Sequence, residues 1–284
     1  MIYSKKLNLS IVEIPKCASS SITRFFSKNL LDIDENDIGK PFPGNVPRVC
    51  YWLPPPHVTF RITATVESLD EYNNMPEVDM WGLTKAKELP SELLEDIKKS
   101  FICALVRNPW QRMVSSYKQL CFACTENHFE WQYKEVDLDD DKYFKKQRIT
   151  YDLFLKALIS KYNKTYDFKN KEAFKIFAKA ICNSGKIGIR PLTLNAHWRP
   201  QHSFVYRDNL PFEYNYIGKL ENINEFFEVV IANAKNLKYK EVPTDNMTPS
   251  YNYQDYYDTK TVDMVGEFYQ KDIELFDYEY VSLK

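Results

Sequence analysis

The sequence predicts an α/β fold in which a mostly parallel central sheet is flanked by helices, organised as a single domain over residues 1–284. Two strand-like runs, at residues 7–14 and 101–106, are each followed by a pattern with helical periodicity. Further helical patterns alternate with short strand-like segments along the rest of the chain. With 44% hydrophobic residues and only 7 glycines, the chain has ample apolar material for a core and little for flexible linkers.

The first strand-to-helix unit lies near the N-terminus. Leu7, Leu9 and Ile11 alternate with polar residues, which indicates a strand that becomes buried and that Pro15 ends. The following segment, SSSITRFFSKNLL, starts with serines that can cap a helix and continues with apolar residues at helical spacing. The sequence therefore predicts a strand, a loop of a size that suits a phosphate, and a helix.

The second unit repeats this order. SELLEDIKKS predicts a helix, and FICALV at 101–106 predicts a continuous buried strand of a parallel sheet. Asn108 can cap the next helix, and Pro109 suits its first position. Residues 121–149, which include the acidic run EVDLDDD, predict a solvated loop.

The rest of the chain continues the alternation. Helices are predicted for ITYDLFLKALIS, KEAFKIFAKAIC and TVDMVGEFYQKDIELF, and strands for SFVYR and YIGKL. Asn222, with Glu225 three residues later, predicts the start of one more helix.

Composition excludes several classes of protein. The 38 basic and 39 acidic residues leave a formal net charge of −1, which argues against a general nucleic-acid binder. The longest apolar run, FICALV, is far shorter than the roughly 20 residues of a membrane-spanning helix, so no membrane span is expected. Taken as a whole chain, the sequence predicts a cytoplasmic protein; as a piece of a longer chain it suits a Golgi-type luminal domain. The sequence does not indicate an oligomeric state for the protein.

A first candidate anion site lies between the N-terminal strand and its helix. Backbone N–H groups and the helix N-terminus can surround an anion there, and hydroxyls and one ammonium reinforce the site. Its residues are Lys16, Cys17, Ala18, Ser19, Ser20 and Ser21. The alternative is a serine-rich helix cap beside a surface lysine. The pattern G-x-x-x-x-G-K-[ST] does not occur, which disfavours an ATP- or GTP-binding loop of that type and a kinase.

A second candidate anion site follows the buried strand 101–106. Arg107 ends this strand, and Ser115 lies six residues after Pro109, roughly 9 Å along the helix. A bent arginine and this hydroxyl can share one phosphate. The alternative is an arginine that caps its own sheet edge and a serine that faces solvent.

These motifs together resemble the PAPS-dependent sulfotransferases, and specifically the carbohydrate-sulfating branch that includes heparan-sulfate 2-O-sulfotransferase and the chondroitin 4-O-sulfotransferases. IPKCASSSI resembles the family's loop for the 5′-phosphosulfate, and VRNPWQRMVSSY resembles its 3′-phosphate motif. Three further segments are similar, namely HWRPQ at 197–201, YIGKLEN at 216–222 and YQKDIELFDY at 269–278. The resemblance implies the P-loop-like sulfotransferase fold.

The resemblance also implies roles for the site residues. Lys16 is the catalytic lysine, residues 17–21 bind the 5′-phosphosulfate, and Arg107 with Ser115 binds the 3′-phosphate of PAPS (3′-phosphoadenosine 5′-phosphosulfate). Lys16 would stabilise the charge that develops on the departing phosphate. Because that phosphate is already a good leaving group, no metal is expected.

The acceptor hydroxyl needs a general base, and histidine is the usual choice near neutral pH. His57 begins HVTF, which is similar to the segment with the catalytic histidine in the 2-O-sulfotransferases, and His197 in HWRPQ is the second candidate. Gly82 stands where some relatives carry a histidine. The expected acceptor is a neutral or modestly acidic carbohydrate. The alternatives are a small-molecule or lipid alcohol, and a nucleotide-binding module without turnover.

Overall fold

The computed structural model describes residues 2–4, 7–19, 21–22, 25, 29, 91–126, 151–187, 194–206, 212–240 and 252–281. The chain divides into two compact units, each built from two separate stretches. The first unit comprises residues 1–107 and 201–249, and the second comprises residues 108–200 and 250–284. The sheet lies in the first unit.

The sheet has four strands in the order β1-β2-β3-β4. They are β1 (Ile2–Ser4), β2 (Leu9–Val12), β3 (Phe101–Val106) and β4 (Tyr216–Lys219). β1 pairs antiparallel with β2, whereas β2, β3 and β4 run parallel to one another. The prediction of a mostly parallel sheet flanked by helices is confirmed. All four residues of β2 and five of the six in β3 are buried, as expected for parallel strands covered on both faces.

Eight α-helices have defined bounds in the described part of the chain. In chain order they are α1 (Ser91–Lys99), α2 (Pro109–Glu126), α3 (Tyr151–Tyr162), α4 (Lys171–Cys182), α5 (His202–Val205), α6 (Ile223–Asn233), α7 (Thr259–Phe268) and α8 (Gln270–Phe276). The described residues 19, 21, 22, 25 and 29 are also helical, as predicted for the segment after the first loop.

The core of the first unit lies between the sheet and its helices. α6 packs against β3 and β4, and α1 packs against β3. Gly218 of β4 makes room for this packing, because a Cβ there would lie 2.6 Å from Cδ2 of the fully buried Phe226. The buried apolar residues of this core are Leu7, Leu9, Ile11, Ile22, Phe25, Cys103, Leu105, Phe226, Phe227 and Val230.

The second unit is helical in its described residues, and its core is rich in aromatic rings. α2, α3, α4 and α7 pack against one another around it. Tyr117 of α2 meets Phe174 of α4 edge-on with ring centroids 5.6 Å apart, and Phe177 meets Trp198 in the same way at 5.9 Å. Such edge-to-face pairs add to the stabilisation by burial alone.

Three sequence predictions differ from the structure. SFVYR is not a strand, because His202–Val205 form the short helix α5. α2 continues to Glu126, beyond residue 121 where a loop is predicted. The last helix is two helices, α7 and α8, which meet at Tyr269. No helix among the described residues is long and apolar enough to cross a membrane.

Candidate active site

The chain leaves β2 through a tight turn that carries Lys16. The carbonyl of Ile14 accepts a hydrogen bond from the N–H of Cys17 at 3.0 Å, which closes a four-residue β-turn. Pro15 has the φ that the second position of such a turn requires, and Lys16 follows at φ 70°. This arrangement is that of a type II turn, whose third position usually holds glycine. Lys16 is half-buried.

A second residue with positive φ follows at once. Ala18 has φ 57°, and its carbonyl accepts the first helical hydrogen bond, from the N–H of Ile22 at 3.0 Å. The hydroxyl of Ser19 donates to the carbonyl of Ile14 at 3.2 Å, which ties the start of the helix to the turn. The first N–H groups of a helix have no acceptor within the helix itself, so the start of a helix is a place where an anion can bind.

Arg107 directly follows β3, the parallel neighbour of β2, so it lies at the same edge of the sheet as Lys16. Its Nη1 donates to the carbonyl of Lys16 at 3.1 Å. Its Nε is buried and forms no hydrogen bond within the described part of the chain. The structure therefore brings the Lys16 loop and Arg107 together and leaves a buried guanidinium donor beside them.

Gln201 completes this cluster, although the sequence analysis did not single it out within HWRPQ. Its Oε1 accepts hydrogen bonds from the backbone N–H of Arg107 at 2.9 Å and from the thiol of Cys17 at 3.2 Å. Its Nε2 donates to the carbonyl of Arg107 at 2.7 Å. No local pattern indicates these contacts, because Gln201 is 184 residues from Cys17 along the chain.

His197 lies in the second unit, in a segment whose carbonyls are held by side chains. Asn195 Oδ1 accepts the backbone N–H of His197 at 3.0 Å and lies 2.7 Å from its Nδ1. Because an amide oxygen only accepts, Nδ1 carries the proton in the neutral ring, and the lone pair is on Nε2. The structure thus gives His197 the tautomer of a base that acts through Nε2.

Four consecutive carbonyls of this segment accept side-chain hydrogen bonds. The guanidinium of the buried Arg112 donates to the carbonyls of residues 196 and 199 at 2.8 and 2.9 Å. Ser116 donates to that of His197 at 2.6 Å, and Tyr269 to that of Trp198, also at 2.6 Å. Burial raises the pKa of the Tyr269 hydroxyl, so it stays protonated and remains a donor. The segment is therefore anchored along its whole backbone.

The sequence matches a known protein family over almost its whole length. The model of the sulfotransferase family matches residues 1–279 of the 284. The chain belongs to the sulfotransferase family. It is a PAPS-dependent sulfotransferase, which confirms the resemblance at the level of the family and the enzymatic activity inferred from the sequence. No curated protein and no solved structure matches the chain.

The described residues of the sulfotransferase fit the donor that its family uses. PAPS carries anionic groups on its 5′ and 3′ sides. The turn at Pro15 and Lys16 offers an ammonium and helix-start amides, and Arg107 offers a buried Nε–H. Both are groups of the kind that bind anions, and both lie at one edge of the sheet.

Other predicted site residues belong to the second unit, belong to the helix after the first loop, or lie outside the described residues. Ser115 is half-buried on α2 in the second unit, whereas Arg107 ends the first stretch of the first unit. Their shared contact with one phosphate stays a prediction. Ser21 is buried and helical, while Ser20 and His57 lie outside the described residues. Within the described ranges, no group of three or more His, Cys, Asp or Glu residues could hold a metal ion.

Proposed function

We propose that this sulfotransferase transfers the sulfuryl group of PAPS to a hydroxyl of a carbohydrate by in-line displacement, with Lys16 stabilising the leaving phosphate. The observation that supports the proposal is the contact at 3.1 Å between Arg107 and the carbonyl of Lys16, because it brings one residue of the second predicted site to the loop of the first. In the reaction the acceptor oxygen bonds to sulfur, the bond from sulfur to the 5′-phosphate oxygen breaks, and the acceptor proton passes to a base.

Lys16 suits the charge that develops on the leaving oxygen. The ammonium belongs to a turn whose backbone is fixed by the hydrogen bond between Ile14 and Cys17 and by the ring of Pro15. A fixed backbone lowers the reorganisation that the lysine needs when charge develops beside it, and such preorganisation is a large part of catalysis. Residues 17–21 would bind the phosphosulfate itself.

Arg107 suits the 3′-phosphate, with Ser115 as the partner that the resemblance implies. One nitrogen of its guanidinium donates to the carbonyl of Lys16, while the buried Nε is available to a phosphate oxygen. Leaving such a donor unsatisfied costs about 1–3 kcal/mol, so a phosphate that satisfies it gains affinity. Arginine is preferred over lysine for such contacts because its donors form a planar fork.

The carbohydrate acceptor is supported by the sequence. HWRPQ, YIGKLEN and YQKDIELFDY resemble the carbohydrate-sulfating branch of the family. A net charge of −1 favours a neutral or modestly acidic glycan over a long polysulfated chain.

Mass spectrometry tests the acceptor class directly. The protein is incubated with PAPS and a panel of neutral glycans, acidic glycans, small alcohols and lipid alcohols. We expect the mass of one sulfuryl group to be added to a glycan. Sulfation restricted to small or lipid alcohols would contradict the carbohydrate proposal and leave the transfer mechanism standing.

Calorimetry tests the donor site. The wild type should bind adenosine 3′,5′-bisphosphate more tightly than adenosine 5′-phosphate, and Arg107→Ala should lose most of this preference. Losing one charge-assisted contact corresponds to roughly 1.5–3 kcal/mol. Lys98→Ala is the control, because this exposed cation of α1 pairs only with Glu95 among the salt bridges of the described residues. Equal affinity of the wild type for both nucleotides would refute the assignment of Arg107.

A further inference from the structure

Gln201 occupies the place of a strand partner at the end of β3. β3 ends at Val106, so the backbone of Arg107 lies beyond the ladder between β3 and β4. The carboxamide of Gln201 accepts from the N–H of Arg107 and donates to its carbonyl, as a neighbouring strand would. Rotating the amide by 180° would place its NH₂ group against the N–H of Arg107 and its oxygen against the carbonyl of Arg107. The orientation of this fully buried side chain is therefore fixed.

The same amide is linked to the loop after β2. Its Oε1 accepts the thiol of Cys17, and the guanidinium of Arg107 donates to the carbonyl of Lys16. Lys16 and Cys17 are joined by a peptide bond. Gln201, Cys17, Lys16 and Arg107 thus form a closed ring of hydrogen bonds and covalent bonds, which we call the Gln201 ring. A closed ring fixes the distance between its members more firmly than one contact does.

We propose that Gln201 is a positioning residue for the sulfuryl donor. Through the Gln201 ring it sets the spacing between the loop of Lys16 and the strand end that carries Arg107. These two groups are assigned to the 5′-phosphosulfate and the 3′-phosphate, so this inference rests on the proposed function. Gln201 does not itself reach the donor, because its exposed fraction is 0%. It acts by fixing the positions of the Lys16 loop and of Arg107.

Thiol alkylation tests the ring without any nucleotide. Cys17 and Cys103 are both fully buried in the first unit, but only Cys17 bonds to Gln201. Gln201→Ala should speed the alkylation of Cys17, read by peptide mass spectrometry, by about tenfold, as expected for the loss of roughly one hydrogen bond. Cys103 should keep the wild-type rate. Acceleration of both thiols by the same factor would overturn the proposal, because it would indicate general destabilisation. Acceleration of neither thiol would also overturn it, because it would show that Gln201 does not restrain the loop.

Nucleotide binding tests the positioning role. In Gln201→Ala the preference for adenosine 3′,5′-bisphosphate over adenosine 5′-phosphate should fall about tenfold. Gln201→Glu, of nearly equal shape, places an oxygen against the carbonyl of Arg107 and should show the same loss where it folds. Gln254→Ala is the matched control, since Gln254 also donates to a carbonyl, that of Val281 at 3.0 Å, in the other unit.

The outcomes separate the two proposals. A wild type without preference for the bisphosphate would refute the donor site, and the positioning role with it, while the alkylation result would still report on the ring. A wild-type preference that Gln201→Ala leaves unchanged would overturn the positioning role alone.

Discussion

At the scale of single residues, Lys16 holds a backbone conformation that lysine rarely adopts. Its φ of 70° places it in the left-handed region, where a side chain with a Cβ costs on the order of 1 kcal/mol or more. Glycine would remove this strain, but it would also remove the ammonium. The turn therefore keeps an ammonium beside the start of the helix at some cost in local stability, as the proposed role of Lys16 requires.

The first prediction separates these two effects. Lys16→Ala and Lys16→Gly should each lower kcat by about 10²–10³, because both lack the cation that we propose stabilises the leaving group. Lys16→Gly should be the more stable of the two, because glycine adopts the left-handed turn without strain. Turnover with PAPS and thermal unfolding measure the two properties. EDTA should leave the wild-type rate nearly unchanged. Full activity in either variant, or dependence on a divalent metal, would contradict the mechanism.

The second prediction concerns the general base, and we propose His57 with His197 as the second candidate. A histidine base gives a rate that rises with pH through its pKa, ordinarily near 6.5, because only the neutral ring accepts a proton. The rising part of this pH profile is its acid limb. His57→Ala should flatten the acid limb and slow the reaction by about 10²–10⁴-fold, with little change in affinity for adenosine 3′,5′-bisphosphate. The measurement is the rate between pH 5 and 9.

His197→Ala is the internal control for this prediction. His197 lies in the anchored segment beside Trp198, and a structural role there should lower stability before it changes the pH profile. If His197→Ala removes the acid limb in a folded protein and His57→Ala does not, the two roles are exchanged. If neither variant changes the limb, a carboxylate is the base.

Residue types at the candidate site were predictable, whereas their conformations were not. Lys16 and Arg107 follow buried strands in the sequence, so their place at one sheet edge follows from the parallel pairing of β2 and β3. Gln201 was missed because its partners are distant in sequence and no periodicity marks a buried amide. The positive φ of Ala18 was also invisible, because it contradicts the preference of alanine.

At the scale of elements, most of the predicted segments match the structure, among them the short YIGKL, which contains β4. FICALV coincides with β3, and KEAFKIFAKAIC coincides with α4. SFVYR failed because Phe204, Val205 and Tyr206 fit a strand by propensity. In the structure the carbonyl of Gln201 accepts hydrogen bonds from the N–H groups of Phe204 and Val205, and the segment forms a short helix. The last helix is broken at Tyr269, whose contact with Trp198 is not visible in its own segment.

The third prediction concerns the start of α7. Asp258 caps this helix by accepting from the N–H and the hydroxyl of Thr261 at 2.8 and 2.7 Å, and Lys175 lies 3.1 Å from its other oxygen. These hydrogen bonds with Thr261, and then Lys175, lower the pKa of Asp258 to about 2. Asp258→Ala should lower the free energy of unfolding by about 1 kcal/mol at pH 7, as losses of N-caps typically do.

The sign of the pH dependence follows from the lowered pKa. The carboxylate is favoured in the folded state, so its contribution is complete above the ordinary value of 3.8 and is lost as pH falls toward about 2. Urea unfolding at several pH values should therefore show that the difference in the free energy of unfolding between wild type and Asp258→Ala becomes smaller below about pH 4. Asp255→Ala, at an exposed position with no cap contact, should show no such difference. A difference that stays constant to pH 2 would contradict this account.

At the scale of the whole molecule, neither compact unit is a continuous piece of chain. The first unit needs residues 1–107 and 201–249, and the second needs residues 108–200 and 250–284. The passages between them are direct peptide bonds, such as those from Arg107 to Asn108 and from Pro200 to Gln201. If the second unit alone unfolded, residues 108–200 would become a long loop whose two ends are held by the folded first unit. Closing such a loop has an entropic cost.

The fourth prediction is therefore that the two units unfold together, as the single domain expected from the sequence. Calorimetry should show one transition with equal calorimetric and van't Hoff enthalpies. Adenosine 3′,5′-bisphosphate at about 100 times its Kd should stabilise the protein by about 2.7 kcal/mol and raise the midpoint of this one transition by several degrees. Adenosine 5′-phosphate at the same concentration is the control and should raise it less, because it lacks the 3′-phosphate. Two transitions, of which the nucleotide moves only one, would show that the units are separate domains. They would also assign donor binding to the unit whose transition moves, since a ligand stabilises only what it binds.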